Sequence, residues 1–148
     1  VSVPAAAAPA AAPSDDIDIL ARTVWGEARG EPDARASMGA VACVVLNRKR
    51  KQTYWGRSVT EVCLKPYQFS CWNANDPNRS QLTRTDASNR EFALALGIAR
   101  DALDGRLSDD TQGATHYHAT TLAQPPTWAR GHASCAHIGR HLFYNDIR

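Results

Sequence analysis

The sequence predicts one α+β domain, helical over its first two thirds with a small β portion in its C-terminal third. Three observations carry that prediction. Up to about Leu103, apolar residues recur at offsets of three and four, the period of helices with one buried face. After Gly105 the period changes, and Ala114-Thr115-His116-Tyr117-His118-Ala119 alternates as a strand does. A length of 148 residues supports one hydrophobic core rather than two.

The chain opens on VSVPAAAAPAAAP, whose Ala/Pro composition fits an extended tether. It lacks the charged start and leucine-rich centre of an intact export signal, and it fits what remains after such a signal is cut. Residues 1–14 are therefore expected to form a flexible tether, and residues 15–148 a single folded domain. Ser14 with Asp15, Asp16 and Asp18 supplies a cap and first-turn acids, so the first helix is expected to start near Asp15. Gly30, followed by Glu31-Pro32, ends it.

A second helix is expected from about Asp33 to Lys49. Its centre, Met38 to Leu46, is apolar on every side, as in a central buried helix. Gly39, Ala40 and Ala42 let a neighbour approach closely. The basic run Arg48-Lys49-Arg50-Lys51 reads as a solvated helix end, where cations suit the helix dipole. Ser58-Val59-Thr60-Glu61 is a capping box opening a short helix through Leu64. An irregular stretch from Lys65 to about Asp86 follows, rich in aromatic and amide side chains. Loops of that length in a compact domain are usually functional, and this mixture suits a sugar-binding groove. Ser88-Asn89-Arg90-Glu91 reads as a second capping box, and the helix it opens closes at Gly105. Pro125 to Trp128 reads as a loop, and Ile138 to Tyr144 as the last strand.

One stretch carries chemistry. In Leu20-Ala21-Arg22-Thr23-Val24-Trp25-Gly26-Glu27-Ala28, the buried stripe is Ile17, Leu20, Val24 and Ala28. At roughly 100° per residue, Glu27 projects nearly as Leu20 does, onto the inward face. Burial there favours a neutral carboxyl group, which can donate a proton to a leaving group. The alternative is a structural glutamate paired with Arg22 or Arg29.

Composition excludes several classes. A formal net charge of +2 with no long basic block argues against a nucleic-acid partner. No stretch reaches the roughly 18 apolar residues of a membrane span. No phosphate-binding glycine pattern is present, and Ser134-Cys135 lacks the setting of a hydrolase elbow. His116, His118, His132, His137 and His141 with Cys135 lack metal-ligand spacing, so neither metal nor cofactor is expected. Cys43, Cys63, Cys71 and Cys135 allow three pairings. The preferred arrangement is a local Cys63–Cys71 bridge with Cys43–Cys135 as the long one, which favours an oxidising compartment.

The strings Ala21 to Pro32 and Gly39 to Arg48, with Gln68-Phe69-Ser70, Ala114 to His118, Pro126-Thr127-Trp128 and Ile138 to Tyr144, carry a resemblance. Over about Ile17 to Tyr144 the chain resembles the cell-wall hydrolase family of the bacterial spore-cortex-lytic enzymes. That resemblance implies a lysozyme-like, mostly helical α+β fold and cleavage of the β-1,4 bond between N-acetylmuramic acid and N-acetylglucosamine in peptidoglycan. It implies a lytic transglycosylase, with the acid at Glu27 and a 1,6-anhydro product. Residues expected to bind the glycan are Glu31, Gln68, Phe69, Trp72, Tyr117, His118 and Trp128. The cysteine set and Ser70-Cys71-Trp72-Asn73 depart from the spore enzymes and look closer to phage or Gram-negative versions. The chain is expected to be a monomer acting on peptidoglycan glycan strands, either exported (periplasmic or extracellular) or phage-encoded. The alternatives are a hydrolytic muramidase, for which Glu31, Glu61 and Asp76 are candidate second carboxylates, a non-catalytic peptidoglycan-binding module, and a zinc amidase. A two-carboxylate glycosidase needs its acids ~5–9.5 Å apart.

Overall fold

The computed structural model describes residues 11–148, with residues 11–14 described by backbone alone. Most of the expected tether, residues 1–10, lies outside the described residues. Helix α1 spans Ala11–Ala28 and so begins upstream of the expected start at Asp15. The acids read as first-turn residues lie inside it and have other partners. Asp16 accepts from the backbone N–H and hydroxyl of Thr60 at 3.0 and 2.6 Å, and Asp18 pairs with Arg22 at 3.0 Å. Leu20, Val24 and Ala28 form its buried stripe, as their spacing predicts. The helix stops where Gly30 turns to φ +85° and donates its N–H to Glu91 at 2.9 Å.

Helix α2, Ala34–Lys51, runs through the centre of the molecule. Asp33 caps it by accepting from the Ala36 N–H at 3.1 Å. Met38 and Ala40 to Val45 are all buried, because α1 and α5 cover one side and the sheet covers the other. Helix α3, Val59–Leu64, starts at the expected cap, Ser58, which accepts from Glu61 N–H at 3.0 Å. The stretch from Lys65 to Asp86 is not wholly irregular. It contains a 3-10 turn at Ser70–Trp72 and a short helix α4, Arg79–Arg84, anchored by buried Leu82.

Helix α5 spans Arg90–Leu103, capped by Asn89, which accepts from Phe92 N–H at 3.0 Å. The cap is thus one residue later than Ser88, whose hydroxyl bonds Asp86 instead. Glu91, the other half of the expected box, reaches Gly30 and joins the start of α5 to the end of α1.

Three antiparallel strands follow in the spatial order β1-β3-β2: β1 His116–Ala119, β2 Ala136–Ile138 and β3 His141–Tyr144. The expected single strand from Ile138 to Tyr144 is instead a hairpin, because Gly139 at φ +58° turns the chain back on itself. In the register, Tyr117 pairs with Phe143 and His118 with Leu142. Ala40 and Val44 of α2 pack on Ala114 and Phe143, which seats one sheet face on the helical core. The two long helices, α5 and this sheet make the predominantly helical α+β fold read from the sequence.

None of the four cysteines is bridged, which corrects the expected pairing. Cys43 donates weakly to the Ser108 carbonyl at 3.6 Å, and Cys135 donates to the Thr111 carbonyl at 3.2 Å. Each thiol is committed to packing and local bonds rather than to a partner sulfur.

Candidate active site

Glu27 sits on the last turn of α1, half-buried and facing β1. Its Oε1 accepts from the Tyr117 hydroxyl at 2.5 Å, and its Oε2 accepts from the Cys71 backbone N–H at 3.2 Å. The close approach of the Ser70–Trp72 turn depends on Gly26. A Cβ at Gly26 would lie 2.8 Å from Cys71 Cβ and 2.9 Å from its Sγ. Trp72 fastens the same turn by donating its indole N–H to Thr23 Oγ1 at 2.9 Å. Neither Arg22 nor Arg29 pairs with Glu27. Arg22 is held by Asp18 and the carbonyls of Leu82 and Thr85, and Arg29 lies over the Trp25 ring at 4.0 Å.

Tyr117 arrives from the strand side that faces α2. Burial, and then the adjacent Glu27 carboxylate, push its phenol well above the ordinary range, so it keeps its proton. The same two causes push the Cys71 thiol up.

Arg48 belongs to this site, although the sequence places it in a solvated basic run. It is 5% exposed. Its guanidinium donates to the Thr115 carbonyl at 2.7 Å and to Gln68 Oε1 at 3.3 Å. It lies over the Trp55 ring at 5.0 Å and the Phe69 ring at 5.2 Å. Burial draws its pKa down, while Tyr117 and other nearby acidic groups, Glu27 among them, oppose the shift. Asn47, 4% exposed, donates to the Ala114 carbonyl at 2.9 Å and to Asp109 at 3.0 Å. The Asn47-Arg48 pair therefore fastens the start of β1, and with it Tyr117, onto α2. Spacing gave no signal for this role. Only the position of α2 beneath the sheet reveals it.

The opposite face of β1 carries His116 and His118. His118 bonds the Tyr144 hydroxyl at 2.8 Å and stacks on that ring, and Trp128 stands edge-on to both. His116 lies between Trp128 and Trp55, with centroids 5.1 and 5.5 Å away. Burial, then the Arg48 charge, lower its pKa to about 4, so it is neutral at ordinary pH. Tyr117 and His118 thus face opposite sides of one strand, as adjacent strand residues must.

The remaining expected ligand-binding residues divide. Gln68 and Trp72 are half-buried beside Arg48 and Thr23. Phe69 is 1% exposed and lies in the core beneath Arg48, so it offers no surface to a glycan. The Glu31 side chain is 7% exposed and tied to the β2–β3 hairpin, accepting from Arg140 N–H at 2.8 Å and Ser37 Oγ at 3.1 Å. Glu61 accepts from Arg57 N–H, and Asp76 from Asn78 N–H. Among the described residues, no three His, Cys, Asp or Glu side chains converge as a metal would require, and no helix is long and apolar enough to cross a membrane.

Fold and site together define a small, helix-dominated α+β domain with a half-buried carboxylate held at the end of its first helix. The chain belongs to the Cell Wall Hydrolase family, which matches residues 31–144. It is 33% identical over 138 residues to a spore cortex-lytic enzyme of Halalkalibacterium halodurans, and 31% identical over 130 residues to that of Bacillus subtilis. These alignments take in 93% and 88% of this chain but only 37% of either relative, so the chain spans little more than a third of their length. The crystal structure of the catalytic domain of the Bacillus cereus SleB protein superposes with a TM-score of 0.68 at 29% identity, covering 88% of this chain and 90% of that one. The catalytic domain of a germination-specific lytic transglycosylase SleB from Bacillus anthracis gives 0.65 at 28% identity, over 87% and 93%.

Proposed function

We propose that this chain is a peptidoglycan-cleaving lytic transglycosylase in which Glu27 is the only catalytic carboxylate. The observation that carries the reading is the setting of Glu27, held by the Tyr117 phenol on one oxygen and the Cys71 amide on the other. A phenol suits a group that must act twice. Its oxygen accepts while Glu27 carries the proton, and its O–H donates once Glu27 is ionised. In the first half-reaction Glu27 protonates the glycosidic oxygen between muramic acid and glucosamine, and the C1–O4 bond breaks. In the second, the muramic 6-hydroxyl bonds C1 and returns its proton to Glu27, leaving a 1,6-anhydro end with no water consumed.

Support comes also from the other carboxylates. A water-activating partner must stand across the scissile bond, whereas Glu31, Glu61 and Asp76 are each occupied by backbone N–H groups elsewhere. The glycan is proposed to run past Tyr117 and Trp72 with Gln68 along its course, whereas His118 and Trp128 stand together on the other face of β1. The names of the relatives, spore cortex-lytic enzyme and lytic transglycosylase, agree with a cell-wall substrate and with action at the wall.

The test is mass spectrometry of muropeptides released from purified sacculi by wild type and Glu27→Gln. Anhydro-muropeptides from the wild type alone are expected. Reducing muramic ends would make the protein a hydrolytic muramidase, and binding without release would make it a wall-binding module.

A further inference from the structure

Glu31 follows Glu27 by four residues, yet its carboxylate leaves the groove side and meets His141. Oε2 lies 3.1 Å from His141 Nδ1, a nitrogen that makes no aligned hydrogen bond in the protein. Oε1 is fixed separately by Arg140 N–H and Ser37 Oγ. Gly139 leaves the room for this arrangement, since any Cβ there would overlap both the Glu31 carboxylate and the Ser37 hydroxyl. The His141 side chain, 12% exposed, stands at 89° to the Tyr117 ring with centroids 5.0 Å apart. Phe143 closes in on the same Tyr117 ring at 5.5 Å. Tyr117 is the residue whose hydroxyl meets Glu27 at 2.5 Å.

We propose that Glu31 and His141 form a positioning pair for the acid. Glu31 stands at ion-pair distance from the imidazole, the imidazole and Phe143 form two adjoining walls against the Tyr117 ring, and the phenol is thereby aimed at Glu27. The β2–β3 hairpin is then a working part of the site, although none of its residues touches Glu27. The physical requirement is strict, because a displacement of about 1 Å at a catalytic contact costs on the order of a hundredfold in rate. The Tyr117 ring already packs on the core and on Phe143, and the imidazole adds the wall that stops it sliding toward the hairpin. Glu31 thus changes from an expected glycan contact to a residue acting through two others. The inference rests on the reading of Glu27 as the acid.

The test is a double-mutant cycle on sacculus solubilisation with the full chain. Glu31→Gln, His141→Ala and His141→Phe are each made alone and together with Tyr117→Phe. Glu31→Gln and His141→Ala are expected to lower kcat by roughly tenfold, with apparent KM held within about twofold. In the Tyr117→Phe background the same changes are expected to cost less than about twofold, since the phenol they aim is gone. His141→Phe, which keeps a ring against Tyr117, is expected to lose less than His141→Ala and keeps the cycle usable if the alanine variant unfolds. Equal losses in both backgrounds, or a loss confined to KM, would overturn the proposal. The 13Cζ resonance of Tyr117 gives a readout independent of cleavage, expected to move in Glu31→Gln and His141→Ala. If Glu27→Gln still cleaves, the reading of Glu27 fails, while this resonance still reports whether Glu31 and His141 place the phenol. An unmoved resonance would overturn the pair.

Discussion

The hydroxyl of Tyr117 and the carboxylate of Glu27 meet at 2.5 Å across 90 residues of sequence. The contact joins the end of the first helix to the first strand, and the long helix α2 lies beneath both. Tyr117→Phe removes the donor and little else, because the ring stays packed against His141 and Phe143. Turnover on sacculi is expected to fall by about 10- to 100-fold, within the range of a positioned acid–base contact. Release of soluble muropeptides over time measures it, with circular dichroism to establish that the fold is kept. Unchanged turnover would remove Tyr117 from the mechanism.

Gly26→Ala sets two effects in opposition. Alanine raises helix propensity by about 1 kcal/mol. Its Cβ, however, meets Cys71 Cβ at 2.8 Å, Cys71 Sγ at 2.9 Å and Leu82 Cδ1 at 3.0 Å, and two of those atoms belong to the turn that bonds Glu27. Overpacking is expected to win by about 1–2 kcal/mol. Activity should fall more than stability does, because the Cys71 N–H is pushed away from Oε2. Adding Cys71→Gly is expected to restore part of the activity, read from urea midpoints beside turnover numbers.

His116 makes stability depend on pH. Its folded value of about 4 lies below the ordinary 6.5. Between those values the unfolded chain binds a proton that the folded protein excludes, so the stability is present in full above about pH 6.5 and is lost as pH falls toward 4. For a half-buried ring the loss is about 1–3 kcal/mol after screening. Urea unfolding of wild type at pH 7.5 and 4.5 should show it, and His116→Phe should flatten the difference.

The thiols offer a chemical check on the cysteines. Burial pushes Cys43 and Cys63 up to about 12, so neither forms thiolate at working pH. Alkylation of native protein at pH 8 is expected to leave these two unlabelled. In urea without reductant all four should label, shown by intact mass, and a reducing agent should leave Tm unchanged.

Much of the frame was legible in the residues. The Leu20–Val24–Ala28 stripe, the wholly apolar centre of α2 and the alternation around Tyr117 each report a local burial pattern, and local patterns are what periodicity measures. Boundaries were less legible. Ser14 and its acids resemble a helix start, but Asp16 is used by Thr60 and Asp18 by Arg22, contacts no window of α1 contains. Gly139 read as part of a strand because its turn is set by the Glu31 carboxylate across the molecule.

The site divides in the same way. Glu27 was readable as a carboxyl group on an inward helix face, whereas Trp72 and Tyr117 entered only as expected glycan contacts and their closeness to it was not readable. Arg48 was not, because four adjacent cations look solvated until the sheet is laid over the end of α2. Phe69 was read as a groove wall, yet it lies in the core beneath that guanidinium. Glu31 was read as a glycan contact and is instead bound to the hairpin.

By itself, then, the sequence determined which segments bury a face, that the helices precede the strands, and that a carboxylate ends the first helix on its inward side. These follow from side-chain period and turn chemistry within a few residues of each position. Only the tertiary structure decided what that carboxylate meets, which cation is buried beneath it, and that the cysteines stay apart. Those facts depend on the approach of groups far apart in the chain, which packing sets and local pattern does not encode.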